Sequence, residues 1–214
     1  MGADISEISR DLINISTTII FSVIGVIGNV LILHIFTRKE FLRKSMFRYL
    51  IVAALLDIIN LILLWPYNYP DFFQVDTNLM SCKFIMYLSN FAYSANPWFI
   101  LLSTFDRFLH VYYPHKFKFR NRLKFQLTQM IFITIFMLII NLPFYFYFDL
   151  SGPSNYTSCG YVEDIEVIGF TLDFYVSLEA VLVPFVLMLV STTLIGYKLM
   201  TKKVDPHCKK TVWI

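Results

Sequence analysis

Residues 82–108 read CKFIMYLSNFAYSANPWFILLSTFDRF, an apolar segment with a thiol at one end and an acid beside a base at the other. An α-helix rises about 1.5 Å per residue, so Cys82 and Arg107 would lie roughly 37 Å apart, about one hydrocarbon core plus an interface. Charges at the rim of a membrane segment are costly and usually face a protein interior. The pair Asp106-Arg107 therefore predicts a switch at one surface of a membrane-spanning helix.

The composition extends this prediction to most of the chain. Hydrophobic residues make up 57% of the 214 residues and charged residues only 15%, so lipid is the expected solvent for most of the surface. Five apolar runs are long enough to cross a bilayer. We predict an all-α polytopic bundle of transmembrane helices, with spans at about 17–36, 47–66, 84–111, 125–148 and 167–199, flanked by segments 1–16 and 201–214.

The distribution of charge predicts the orientation. Basic residues cluster after the first, third and fifth spans: Arg38, Lys39, Arg43, Lys44, Arg48, Lys116, Lys118, Arg120, Arg122, Lys124, Lys198, Lys202, Lys203, Lys209 and Lys210. Short basic links stay in the cytosol, so the N-terminus is expected outside and residues 201–214 inside. Because these links adjoin apolar spans, they are expected to meet anionic lipid, and the net charge of +3 does not indicate a nucleic-acid partner.

Two of the three cysteines fall on the outer side of this topology. Cys82 begins the third span and Cys159 lies in the loop before the fifth. Cys208 is expected inside as a reduced thiol, with palmitoylation as the alternative. An oxidising compartment favours pairing of the two outer thiols, so a Cys82–Cys159 disulfide is predicted.

Two triplets match the N-glycan acceptor pattern, beginning at Asn14 and Asn155. The second lies in an outer loop and is the better candidate, because Asn14 lies almost against the first span.

The spans, the outer cysteines and the charged pair together resemble the rhodopsin-like G-protein-coupled receptors over almost the whole chain. Local matches occur in order at Gly28-Asn29, Leu50–Asp57, Trp65-Pro66, Pro114, Pro143 and Pro184. The glycine is expected to let helices approach closely. The resemblance implies a multi-pass plasma-membrane receptor that binds an extracellular ligand and activates a heterotrimeric G protein, not an enzyme.

The resemblance also implies roles for residues of the first three spans. Asp57 would be the sodium-binding acid, with Asn96 as a second oxygen ligand and Asn29 bonded nearby; an allosteric sodium ion is then the one expected cofactor and metal. The alternative is a neutral Asp57 bonded to Asn29.

The charged pair Asp106-Arg107 has two interpretations. In the family, the acid holds the arginine at rest and releases it toward the G protein, and here Phe108 replaces the commoner tyrosine. The alternative is simple anchoring of the helix end by positive charge.

The outer half of the bundle indicates the class of ligand. Receptors for monoamines carry an acid on the third helix where this chain has Ser89, followed by Asn90, so a monoamine is not expected. Asp173 and Glu179 on the fifth span, with aromatic residues such as Tyr93, suggest an acidic rim for a basic neuropeptide of the FMRFamide-like kind. The alternative is that these acids serve only topology and solubility.

Some features depart from the family pattern. Pro97 lies inside the third span and is expected to kink or unwind it. No sixth or seventh span follows residue 201, which favours a fragment, a mispredicted gene product or a truncated isoform. An isoform of this kind would be retained in the endoplasmic reticulum or modulate a full-length receptor.

Other classes of membrane protein find less support. A transporter would show repeated halves with broken helices, and no internal repeat is evident. An intramembrane enzyme would need paired catalytic aspartates or a His-Glu-x-x-His motif, and the sequence has neither.

Overall fold

A computed structural model of the chain describes residues 5–68, 78–113, 123–151, 158–161, 166–167 and 170–201. Its α-helices are α1 (Ile5–Phe36), α2 (Lys39–Leu42), α3 (Ser45–Asn68), α4 (Leu79–Tyr112), α5 (Leu123–Ile140), α6 (Leu142–Tyr147), α7 (Leu172–Val176) and α8 (Val183–Thr201). A π-helical segment, Ser177–Leu182, joins α7 to α8. Two antiparallel strand pairs are formed by β1 (Phe148–Ser151) with β2 (Ser158–Tyr161) and by β3 (Glu166–Val167) with β4 (Phe170–Thr171).

Both ends of the long helix α4 are explained by local chemistry. At its start, the Asn78 side chain accepts a hydrogen bond from the backbone N–H of Ser81 at 2.8 Å, and the Ser81 hydroxyl accepts one from the backbone N–H of Asn78 at 3.2 Å. This capping box satisfies backbone donors that a helix leaves open at its first turn. At the other end Pro114 follows Tyr113, and a residue before proline is disfavoured in the helical conformation.

Helix α4 lies at the centre of the bundle. It packs most extensively on α3 and also contacts α5, α6 and α8, whereas α1 packs on α3. The shared core consists of Tyr49, Ala53, Leu56, Phe91, Ala92, Ala95, Phe99 and Met137. The helix continues without interruption through Pro97, so the predicted local unwinding is not observed. Neighbouring helices can support a proline that removes one backbone donor.

The bundle places apolar groups outside and many polar groups inside. Phe21 and Met200 are 69% and 77% exposed. The buried polar side chains are Ser22, Ser45, Ser89, Ser94, Ser103, Asp106, Gln126, Asn141 and Glu179. Four segments of the described helices are long and apolar enough to cross a membrane: Ile13–Phe36, Ser45–Leu63, Leu123–Tyr147 and Phe174–Thr201. The chain is therefore a multi-pass helical membrane protein.

The observed elements correct several predicted boundaries. The first helix begins at Ile5, so most of the predicted flanking segment 1–16 is helical. The fourth span is two helices divided at Asn141, because Pro143 lies in the first turn of α6. The fifth was predicted to start at residue 167, but residues 166–167 pair with 170–171 and the helix starts at Leu172.

Close approach of α1 and α3 depends on a different glycine from the one predicted. A Cβ atom at Gly28 would meet nothing within 4 Å, whereas one at Gly25 would lie 3.1 Å from Cδ1 of Leu61. Gly28 is exposed and makes no close helix contact with the part of the chain that the structure describes. Gly25 is the position that lets the two helices pack closely.

Candidate functional site

The predicted site residues lie at three levels along α4. Cys82 marks one end, Arg107 marks the other, and Ser89 to Asn96 occupy the middle. We call the two ends the Cys82 end and the Arg107 end. Each level joins α4 to a different set of neighbouring elements, so α4 is the scaffold of the candidate site.

In the middle, one polar cluster faces α1 and α3. The Asn96 side-chain N–H donates a hydrogen bond to the Asp57 carboxylate, which also interacts with the Asn29 side chain. Asn29 donates to the backbone carbonyl of Gly25 at 3.0 Å. The three residues predicted to form a polar network are thus brought together by three helices.

This cluster has one spare oxygen atom of the kind that hard cations prefer. Oδ1 of Asn96 is buried and has no hydrogen-bond partner, and it belongs to the same amide that contacts Asp57. Within the described ranges, no group of three His, Cys, Asp or Glu side chains is arranged to hold a metal. A carboxylate with a nearby amide oxygen is a donor set that fits a monovalent cation such as sodium.

At the Arg107 end, the two adjacent charged residues take different partners. Asp106 is buried and accepts a hydrogen bond from the Ser45 hydroxyl at 2.5 Å, in the first turn of α3. Arg107 is exposed, and its Nε lies 3.3 Å from the sulfur of Met46. A carboxylate near a helix N-terminus is favourable, so Asp106 secures α3 to α4 while the guanidinium faces outward.

At the Arg107 end, aromatic side chains of α4 extend toward α8. The Phe108 ring stacks on Phe105 at 5.9 Å and lies 4.6 Å from Tyr112. The Tyr112 hydroxyl donates to the backbone carbonyl of Leu194 at 2.9 Å, and Lys198 lies over the Tyr112 ring at 5.4 Å. These contacts make Phe108 part of an aromatic row in which Tyr112 bonds α4 to α8.

The residues predicted to contact ligand are in different environments. Ser89 is buried and donates to Oδ1 of Asn60 on α3 at 2.7 Å. Asn90 is half-buried and donates to the carbonyl of Met86 in its own helix at 2.9 Å. Tyr93 is 46% exposed and is the one of the three open to a ligand.

The prediction that Glu179 belongs to an exposed acidic rim was wrong. Its side chain is only 6% exposed, because the π-helical segment turns it between α4 and α5. Asn141 donates to its carboxylate at 3.1 Å, and Ser94 donates to Asn141 at 3.0 Å. The side chain of the other predicted rim acid, Asp173, lies outside the described residues.

Sequence reasoning missed two members of this second cluster. Asn141 and Ser94 are each 1% exposed, and both are polar residues inside apolar runs. The sequence did contain a signal for one of them. Asn141 lies two residues before Pro143, at the point where the helix divides. The pairing itself is between residues far apart in the chain and could not be found from spacing.

At the Cys82 end, the two predicted cysteines meet. Their sulfur atoms lie 1.93 Å apart and their Cα atoms 5.7 Å apart. Cys159 lies on β2 opposite Leu150 of β1, so the strand pair carries it to the top of α4. The link closes a separation of 77 residues.

We predict that this bond is present in the mature protein and that its loss is costly. Closing a loop of this size restricts the unfolded chain, and a native disulfide typically contributes about 2–4 kcal/mol. Non-reducing peptide mapping of surface-expressed protein should recover the Cys82 and Cys159 peptides linked. Cys208→Ser is the matched control and should leave that linked peptide unchanged. Alkylation of both outer thiols without reduction would contradict the prediction.

The two predicted glycan positions differ in what the structure shows. Asn14 is helical and lies within the apolar segment Ile13–Phe36, where its backbone carbonyl accepts from the Thr18 hydroxyl at 2.8 Å. A side chain there is a poor acceptor for a glycan, because it enters the membrane span. Asn155 lies outside the described residues.

A comparison of the sequence with protein families identifies one family. The sequence model of the family described as 7 transmembrane receptor (rhodopsin family) matches residues 28–211, which includes both polar clusters, the disulfide and the charged pair. A comparison with curated proteins found no match. Since the matched region covers most of the chain, the protein belongs to the rhodopsin family of seven-transmembrane receptors.

Proposed function

We propose that the chain is the ligand-binding and G-protein-facing part of a plasma-membrane receptor whose extracellular ligand is a peptide. The observation that supports this most is the divided charged pair, with Asp106 buried against Ser45 and Arg107 exposed. An exposed guanidinium at the end of a central helix is available to a partner protein, whereas mere anchoring would not need a buried acid beside it. Heterotrimeric G proteins are the partners of this receptor family in general.

We further propose that α4 is a fifth membrane span and that the Arg107 end faces the cytosol. With 34 residues, α4 is long enough to cross. Its mean hydropathy is lowered by serines and asparagines that face α3 and α5, such as Ser89 and Ser94. An interior helix of a bundle can carry such residues because its neighbours shield them from lipid. The basic link after α1 would then be cytosolic, and the N-terminus would be outside.

The proposal of a peptide ligand rests on the surface at the Cys82 end. Tyr93 is exposed on α4, and Asp149 is exposed on β1, next in sequence to the residue opposite Cys159. Ser89 carries no charge and is committed to Asn60, so no acid of α4 stands ready for a monoamine. Aromatic and acidic groups together suit a peptide with basic and aromatic residues near its end.

A ligand panel tests this function. The purified 214-residue chain in lipid nanodiscs is heated with amidated peptides ending in arginine and phenylalanine, with the same peptides carrying alanine for arginine, and with monoamines. Ligands that bind only the folded state raise the melting temperature, by an amount that grows with concentration over Kd. We expect the amidated arginine peptides to give the largest shift and Tyr93→Ala to reduce it. The proposal would be contradicted if a monoamine raised the melting temperature and none of the peptides did.

A second candidate is a non-signalling form that modulates a full-length receptor in the same membrane. It is favoured by one observation: Tyr93, Ile100 and Arg107 recur every seven residues and are all exposed, so one face of α4 is open in the described part of the chain. Seven residues are nearly two helical turns, so the three side chains share that face. Co-purification with a full-length receptor would favour this candidate over independent signalling.

A further inference from the structure

Three polar residues from three elements meet in the half of the bundle nearer the Cys82 end. Glu179 comes from the π-helical segment, Asn141 from the break between α5 and α6, and Ser94 from α4. Their side chains are 6%, 1% and 1% exposed. π-Helical turns are rare and often occur at functional sites. This one directs an acid into the interior.

The hydrogen bonds fix how these groups are oriented. The Asn141 side-chain N–H group donates both to the Met137 carbonyl at 2.9 Å and to Oε1 of Glu179 at 3.1 Å. Its oxygen Oδ1 therefore faces away and accepts from the Ser94 hydroxyl at 3.0 Å. The same hydroxyl also donates to the backbone carbonyl of Asn90, in its own helix, at 2.7 Å. The Ser94 hydroxyl and Oε1 of Glu179 both bond to the Asn141 side chain, so the three groups adjoin. Oε2 of Glu179 is buried and has no hydrogen-bond partner.

No described cation balances a negative charge at this site. The titratable group that interacts with Glu179 is the phenol of Tyr175, whose hydroxyl donates to the Ile140 carbonyl at 3.0 Å. The other neighbours are neutral: Asn141, Ser94 and the Trp98 indole, whose N–H donates to the Glu179 backbone carbonyl at 3.2 Å. An ionised carboxylate inside a membrane bundle without a counter-charge is costly.

We propose that Glu179 is a proton-binding site and is a neutral carboxylic acid in this bundle, with its hydroxyl at Oε2 donating to Oγ of Ser94. A closed ring results. Glu179 donates to Ser94, whose one hydroxyl proton is shared between the Asn90 carbonyl at 2.7 Å and Oδ1 of Asn141 at 3.0 Å, and Asn141 donates back to Oε1 of Glu179. The ring satisfies the buried Oε2 and joins three helical elements, and it closes only when the carboxyl group holds its proton.

Asp57, a half-buried acid of α3, has a different requirement from Glu179. Asn96 is two residues from Ser94, so it projects from the opposite side of α4. There the amide has already given its N–H to Asp57, and an acceptor oxygen, Oδ1 of Asn96, is left over. The spare acceptor beside Asp57 suits a metal cation. At Glu179 the ring lacks a hydrogen-bond donor, and a proton on the carboxyl group supplies it. The inference does not depend on which ligand the receptor binds.

Infrared difference spectroscopy on the 214-residue chain in nanodiscs tests the proposal directly. Wild-type protein at neutral pH should show the carbonyl band of a protonated carboxylic acid. That band should disappear in Glu179→Gln and persist in Asp57→Asn, which removes a half-buried acid on the other side of α4 and is the matched control. A carboxylate band at neutral pH that is lost in Glu179→Gln would show that Glu179 is ionised and would overturn the proposal. If that carboxylate band changed with added sodium or peptide, a cation would be the group that binds Glu179 in place of the proton.

Thermal stability gives a second, independent readout. Glutamine has the shape of the neutral acid and can donate to Ser94 while accepting from Asn141, so Glu179→Gln should keep the melting temperature close to wild type. Glu179→Ala should lower it by about 5 °C, because Asn141 loses a buried partner. If Glu179→Gln is as unstable as Glu179→Ala, the acid is not neutral and the proposal is wrong.

Ser94→Ala covers the case in which the Glu179 variants fail to fold. It removes the acceptor of the Oε2 hydroxyl and keeps the acid. The acid carbonyl band should then shift to higher frequency, as expected when a carboxylic hydroxyl loses its hydrogen bond. A band that does not move would show that Ser94 is not the acceptor and would overturn the ring.

Discussion

A polypeptide of these 214 residues, reconstituted without any other receptor, is expected to give no agonist-dependent nucleotide exchange on an added heterotrimeric G protein. In the rhodopsin family, activation swings the sixth helix outward and opens a cytosolic cleft beside the arginine of the charged pair. Here Arg107 lies on the exposed face that it shares with Tyr93 and Ile100. A ligand can only shift a population between states that both exist, so a polypeptide of these residues with an intact Arg107 would not contain the moving element.

The measurement compares this polypeptide with one that continues through two further helices of a related receptor. Surface level and guanine-nucleotide exchange are recorded for both, and Arg107→Ala in the longer chain serves as the control for a direct contact with G protein. Removing one charged hydrogen-bond donor of this kind costs about 1.5–3 kcal/mol, so exchange should fall at least tenfold. Agonist-dependent exchange by the shorter chain alone would refute the prediction.

Asp57→Asn is expected to abolish the effect of sodium on the protein. The Asp57 carboxylate and the buried Oδ1 of Asn96, which has no hydrogen-bond partner, form a donor set between α3 and α4 that combines an anion with a spare amide oxygen. A cation that binds only the folded state stabilises it by about 2.7 kcal/mol at one hundred times its Kd. Replacing the acid by an amide removes the charge that makes this binding favourable.

The sodium effect can be measured in two ways. Melting temperature of the wild-type chain should rise with sodium and not with the larger cation choline, and this rise should vanish in Asp57→Asn. In the longer chain, sodium should lower agonist affinity at least fivefold, and the substitution should remove that dependence. Glu179→Gln is the matched control and should leave both sodium effects in place. An unchanged sodium response in Asp57→Asn with normal folding would instead favour a neutral Asp57 bonded to Asn29.

Much of the framework of this receptor could be predicted from its sequence. Apolar runs of about 20 residues demand helices in lipid, because the backbone can satisfy its polar groups there only within the helix. The same argument places Asp57 among polar partners, since a carboxylate inside a span cannot be left isolated. Asn29 and Asn96 were found as those partners. Local rules were less reliable at span ends, where the β3–β4 pair replaced the predicted start of the fifth helix.

The environment of each polar side chain was decided only by the tertiary structure. The sequence predicted Glu179 on an acidic rim, yet a π-helical turn buries it against Asn141. The sequence predicted a helix contact at Gly28, yet Gly25 is the glycine that faces Leu61. The physical reason is that a span apolar on nearly every side has little periodic pattern to show which face meets lipid. Rotation of such a helix is set by packing and by pairs of polar groups distant in the chain. The sequence therefore determined which segments are apolar enough to cross a membrane, and the bundle determined what each acid meets.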